Sequence, residues 1–113
     1  MYEYIDGNGN KYLITIEGKK IIEYIPVKPH LSSSGVYDGG EYMKKELSNQ
    51  EWDNLILSFN QAVSNKESHI KNRVKKSGMV IIKDKNVKKS CILKPNSKKL
   101  LEIEILLQSI FEK

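Results

Sequence analysis

His30, Ser32, Ser33, Ser34 and Asp38 lie in one short stretch and together hold the side chains of a Ser-His-Asp hydrolase. That chemistry needs a base within hydrogen-bond reach of the serine, an acid that orients the base, and donors for the oxyanion. No spacing in this stretch imposes such geometry, and the G-x-S-x-G nucleophile elbow is absent. The serines are therefore read as turn formers, with Asp38-Gly39 as a tight turn. His30, His69 and Cys91 are the soft metal ligands of the chain, and no C-x-x-C or H-x-x-x-H spacing gathers them, so no metal site is expected. No G-x-x-x-x-G-K-[ST] phosphate loop is present, and Gly7-Asn8-Gly9 reads as a hairpin turn. Cys91 reads as a small core hydrophobe and Trp52 as a core residue. Glu102 and Glu104 have no evident partner that would set either up for acid/base work. The chain is read as non-enzymatic and without a cofactor.

The same stretch belongs to a longer one, residues 26–41, with the sequence P-V-K-P-H-L-S-S-S-G-V-Y-D-G-G-E. Within a predicted loop over 26–47 it is expected to be ordered and partly packed on the sheet. Pro26 and Pro29 stiffen its entrance, and Gly35, Gly39 and Gly40 permit backbone angles closed to other residues. Long connections without secondary structure are uncommon in small domains and are often binding loops. Its candidate contact residues are His30, Ser34, Gly35, Val36, Tyr37, Asp38, Gly39 and Gly40, with Tyr37 as anchor. A tyrosine on a stiffened loop offers large contact area at small entropic cost.

Charge is the second signal. The net charge is +5, and it is unevenly placed: residues 66–100 hold twelve basic residues against two acids. Arg73, Lys75, Lys76, Lys83, Lys85, Lys88 and Lys89 form a candidate basic patch, expected to cluster on one surface and to attract phosphates or an acidic protein. The alternative is a solvated lysine surface produced by a Lys-, Asn- and Ile-rich composition. No Tyr, Phe or Trp lies between Phe59 and Phe111, so this block lacks base-stacking platforms of its own. Nucleic-acid binding through it would be backbone-directed, nonspecific and salt-sensitive.

The elements that must position these residues follow from periodicity and turn chemistry. Strands are predicted over 2–6, 11–17 and 20–27, joined at Gly7-Asn8-Gly9-Asn10 and Gly18-Lys19. Ser48 and Glu51 have the spacing of a capping box, and Trp52, Leu55, Ile56, Phe59, Ala62 and Val63 follow at helical spacing. Ser64-Asn65-Lys66-Glu67 repeats the pattern, predicting a helix that breaks there, restarts through Ile70 and Val74, and stops at Ser77-Gly78. Strands over 79–83 and 87–93 make a second hairpin, and Pro95-Asn96-Ser97 opens a terminal helix through Phe111. Leu101, Ile105 and Leu106 widen that helix's apolar stripe, for burial in the same core or for a second subunit, leaving monomer and homodimer both open. The fold class is α+β in the order βββ-α-ββ-α: an antiparallel sheet of about five strands with two main helices on one face.

At 113 residues the chain is one domain able to bury a core without staples. Hydrophobic residues at 39% and charged residues at 29% exclude a fully disordered chain, and one cysteine excludes an internal disulfide. No apolar run reaches membrane-spanning length and M-Y-E-Y-I-D-G-N-G-N has no signal-peptide pattern, so the expectation is a cytoplasmic protein that makes no use of a membrane. The leading functional expectation is a small binding module that engages a protein partner, attracted in part by its lysines, through residues 26–41. The alternative is a backbone-directed nucleic-acid binder using residues 66–99.

Overall fold

Asp6 closes the first hairpin from within: its carboxylate accepts the backbone amides of Asn8 and Asn10 at 2.9 and 3.0 Å and the Asn10 side-chain amide at 2.9 Å. An aspartate that bonds its own backbone ahead of it fixes a turn, and Gly9 takes the positive φ of 92° that the reversal requires. The computed structural model describes residues 1–16, 18–27 and 39–112. The turn joins β1 (Tyr2–Ile5) to β2 (Lys11–Ile16), and β3 (Lys20–Ile25) continues the meander. β4 (Met43–Glu46) adds to β3, α1 (Asn49–Ser64) crosses back, and a single 3₁₀ turn (Lys66–Ser68) leads into β5 (His69–Ile70). β6 (Gly78–Asp84) and β7 (Val87–Leu93) form the second hairpin, and α2 (Lys98–Phe111) ends the fold. One antiparallel sheet results, in the order β4-β3-β2-β1-β6-β7-β5.

Period-two alternation sorts the strand residues by face. Tyr4 stands opposite Tyr12 on one side and Val80 on the other, Ile14 opposite Ile22, and Val80 opposite Cys91. These residues form one cluster with Leu55, Phe59 and Ala62 of α1 and Leu100, Ile103, Leu107 and Ile110 of α2. Both helices thus cover the same face, and the buried aliphatic and aromatic side chains each contribute about 1.5–3 kcal/mol through burial. Trp52 sits half-buried at the margin, edge-on to Tyr2 with ring centroids 6.0 Å apart.

Ser48 and Glu51 form the full capping box. The Glu51 amide donates to Ser48 Oγ at 3.1 Å, and the Ser48 amide donates to Glu51 Oε1 at 2.9 Å. Both bonds satisfy amides that the helix itself leaves without acceptors. Ser48→Ala is expected to lower stability by about 1 kcal/mol, read as a shift in urea midpoint at unchanged slope. Ser48→Asp should keep most of it.

The sheet has seven strands, two more than the pattern predicted. One extra is β4, M-K-K-E, inside the stretch read as a loop over 26–47. It is an edge strand, where lysines block further pairing and no apolar alternation is required, so periodicity does not reveal it. The other is β5, two residues long, where a restarted helix was expected through Ile70 and Val74. Asn65 instead ends α1, and Ile70 pairs with Ile92 of β7. The order is therefore ββββ-α-βββ-α. Leu106 packs against the core, whereas Leu101 and Ile105 are 44% and 65% exposed on the outer side of α2, not buried in the domain.

Candidate functional site

The base of the segment 26–41 is held shut. The Gly39 amide donates to the Val27 carbonyl at 2.8 Å, and the Tyr24 hydroxyl donates to the Gly39 carbonyl at 2.5 Å. Val27 in turn donates its amide to Oδ1 of Asn10, a side chain only 3% exposed, at 2.9 Å. Gly39 cannot carry a side chain here, since a Cβ would lie 3.0 Å from Pro26 Cβ and collide with the Asn10 amide oxygen. Around this base Ile25, Tyr42 and Met43 are 38%, 52% and 38% exposed. Tyr42 donates its hydroxyl to Glu23 of the neighbouring strand, which raises the phenol's pKa. His30, Ser32, Ser33, Ser34, Gly35, Val36, Tyr37 and Asp38 lie outside the described residues, so the hydrolase components and most of the predicted contact residues do too. Gly40, at the segment's end, adopts a φ of 100°.

The predicted basic patch does not form one surface. β6 separates its members, and seven residues of strand span roughly 20 Å. At the far end Lys83 stands directly opposite Lys88, with Lys85 in the turn and Lys89 next in β7. Like charges in a directly opposed pair repel, and among the described residues no ion pair reaches any of these four lysines. At the near end Lys75 and Lys76 lie beside the β1–β2 turn. Arg73 is committed to structure: its guanidinium donates to the Ser77 carbonyl at 3.0 Å and to the Asp6 carbonyl at 2.9 Å, pinning the 71–77 loop to that turn. Ser77, wholly buried, reinforces the loop by donating its hydroxyl to the Val74 carbonyl at 2.6 Å.

His69 and Cys91 converge on one acceptor. His69 Nε2 lies 2.7 Å from the Ala62 carbonyl, which fixes the proton on that nitrogen, and Cys91 Sγ lies 3.9 Å from the same oxygen. Burial pushes the Cys91 thiol up to about 11 from its usual 9.0, against the Val80 backbone hydrogen bond that lowers it. Cys91 is 8% exposed and belongs to the core cluster. Among the described residues no group of three His, Cys, Asp or Glu side chains comes together.

A cleft of about 390 Å³ opens between α2, the β1–β2 turn and the 71–77 loop. Tyr12, Leu100 and Leu107 give it an apolar floor, and Glu104, Lys75 and Lys76 are among its polar lining. Tyr4, fully buried beneath it, donates its hydroxyl to Glu104 Oε2 at 2.6 Å. Burial first, and the Glu104 carboxylate second, hold that phenol far above its ordinary pKa, so it remains a donor. Two non-glycine residues on the rim have left-handed backbones, Lys76 at φ 68° and Asn96 at φ 61°. Such conformations persist where the surrounding structure enforces them. Sequence reasoning did not find this cleft. Glu104 was visible without a partner, and Tyr4 appeared only as a strand residue.

Among the described residues, no helix is long and apolar enough to cross a membrane. No family model, curated protein or solved structure matches the chain.

Proposed function

We propose that this protein is a small non-enzymatic binding module that engages a protein partner through residues 26–41, with Tyr37 as anchor. The observation that carries the reading is the closed base: Gly39 bonded to Val27 at 2.8 Å, with Asn10 and Tyr24 holding the two strands of the closure. Fixing the ends of a recognition segment before the partner arrives removes part of the ordering cost of association. Ile25, Tyr42 and Met43, next to the base in the chain, are partly exposed. An acidic partner would also be drawn by the lysines of the β6–β7 hairpin.

The second reading, backbone-directed nucleic-acid binding, is favoured by one observation: Lys83, Lys85, Lys88 and Lys89 gather at the hairpin tip around a single acid, Asp84, and no ion pair reaches them among the described residues. Affinity capture from the source cell, with and without nuclease, separates the two. The protein-binding reading expects a nuclease-resistant partner whose retention falls about tenfold or more in Tyr37→Ala and far less on joint charge reversal of Lys85, Lys88 and Lys89. Loss of all captured material on nuclease treatment, with a steep salt dependence abolished by the reversal, would overturn it in favour of the second.

A further inference from the structure

The cleft beside α2 presents opposite charges that do not neutralise one another. Glu104 stands on the helix wall and Lys75 and Lys76 on the loop wall. Among the described residues no ion pair joins them; the two pairs present are Lys19 with Glu46 and Lys99 with Glu102. Asp6, the other acid of the lining, is tied into the turn by the amides of Asn8 and Asn10 and the Asn10 side chain. Glu104, Lys75 and Lys76 thus line a shared space with Tyr12, Leu100 and Leu107.

The walls are also held in place. Tyr4 fixes one oxygen of Glu104 from below, so the carboxylate has a set orientation. Arg73 and Ser77 brace the loop that carries Lys75 and Lys76. A volume of about 390 Å³ is in the range of small-molecule sites, which combine an apolar body with a few fixed polar groups.

We infer that this cleft binds a free α-amino acid with an apolar side chain, its ammonium group on Glu104, its carboxylate on Lys75 and Lys76, and its side chain on Tyr12, Leu100 and Leu107. The charge layout selects a zwitterion. A ligand bearing an anionic group alone leaves the partly buried Glu104 facing it without a partner, which is costly, and a ligand bearing a cation alone forgoes the attraction of both lysines. The residues are distinct from the segment 26–41, so this inference stands or falls separately from the partner reading.

The test is titration of the isotope-labelled protein with leucine, isoleucine, methionine and phenylalanine, followed by amide and side-chain shifts. At least one of them should bind saturably, moving Tyr12, Lys76 and Glu104 resonances. N-acetyl-leucine, which lacks the ammonium, and leucinamide, which lacks the carboxylate, should each bind about tenfold more weakly or worse, as expected when one charge-assisted bond is lost. Glu104→Gln, which still accepts the Tyr4 bond, should weaken the free amino acid by a similar factor while leaving the spectrum native. If that variant fails to fold, Lys75→Gln with Lys76→Asn supplies the same reading from the exposed loop, asparagine tolerating the left-handed backbone. The inference is overturned if no free amino acid saturates into the tens of millimolar, if the blocked forms bind as well as the free ones, or if the charge-removing variant that folds binds unchanged.

Discussion

Gly78→Ala is expected to destabilise the protein by about 3 kcal/mol, combining the cost of overpacking with loss of a charge-assisted hydrogen bond. Gly78 opens β6 and is buried beneath Tyr4; a Cβ built on it lies 2.9 Å from ring atoms Cε1 and Cζ and closer still to the hydroxyl. The ring cannot swing away freely, being fully buried and tied to Glu104 at 2.6 Å. Either the strand moves off β1 or the phenol leaves its acceptor. Chemical denaturation reads the loss directly. Tyr4→Phe removes the atom nearest the new methyl, so the double variant should be less destabilised than the sum of the two singles, the coupling expected of residues in contact. A single-variant change within about 0.5 kcal/mol, the ordinary range for innocuous sites, would show that the phenol has room the structure does not give it.

Stability should also fall steeply in alkali. Cys91 keeps its proton in the native chain to about 11 but releases it near 9.0 when unfolded, so its contribution is intact below pH 9 and is lost as the pH rises toward 11. One proton of difference corresponds to about 1.4 kcal/mol per pH unit, or about 3 kcal/mol across that window. Tyr4 has the same sign, its phenol raised by burial and by Glu104, so a second proton adds to the slope once unfolded tyrosine ionises at about pH 10. Urea midpoints measured from pH 8 to pH 11 check both, expressed with the slopes of the transitions. Cys91→Ala should flatten the lower half of the curve and Tyr4→Phe the upper half. A stability independent of pH through this range would mean that neither group is withdrawn from water as the fold requires.

The parts of the fold legible from residues alone are those whose information is local. The Gly7 to Asn10 turn and the Ser48–Glu51 capping box each declare themselves within a few positions, because a turn or a cap is satisfied by its own neighbours, and Pro95-Asn96-Ser97 marks the start of α2 although the Ser97 side chain makes no capping bond. β4 and β5 do not, because an edge strand takes its identity from the strand it joins. Met43–Glu46 becomes β-structure by lying on β3, and His69–Ile70 by lying on β7. The same distinction governs the surfaces. Lysines contiguous in sequence were expected to share a face, yet the run of β6 carries Lys83 away from Lys76, while Glu104 comes to the cleft with Lys75 and Lys76 only through tertiary folding. Arg73 looked like a candidate for phosphate contact because its charge is visible in a sequence and its two backbone acceptors are not.

Asn10 joins what would otherwise be two independent pieces of surface. Its amide nitrogen holds Asp6, a residue of the cleft wall, and its amide oxygen holds Val27, where the segment 26–41 departs. One planar group serving both ends means that neither attachment can rotate away without releasing the other. Rotation of that amide would free the Val27 amide for exchange and at the same time remove one of the three bonds that Asp6 accepts. Asn10 is thus a shared tie between the surface proposed for a macromolecular partner and the cleft proposed for a small one.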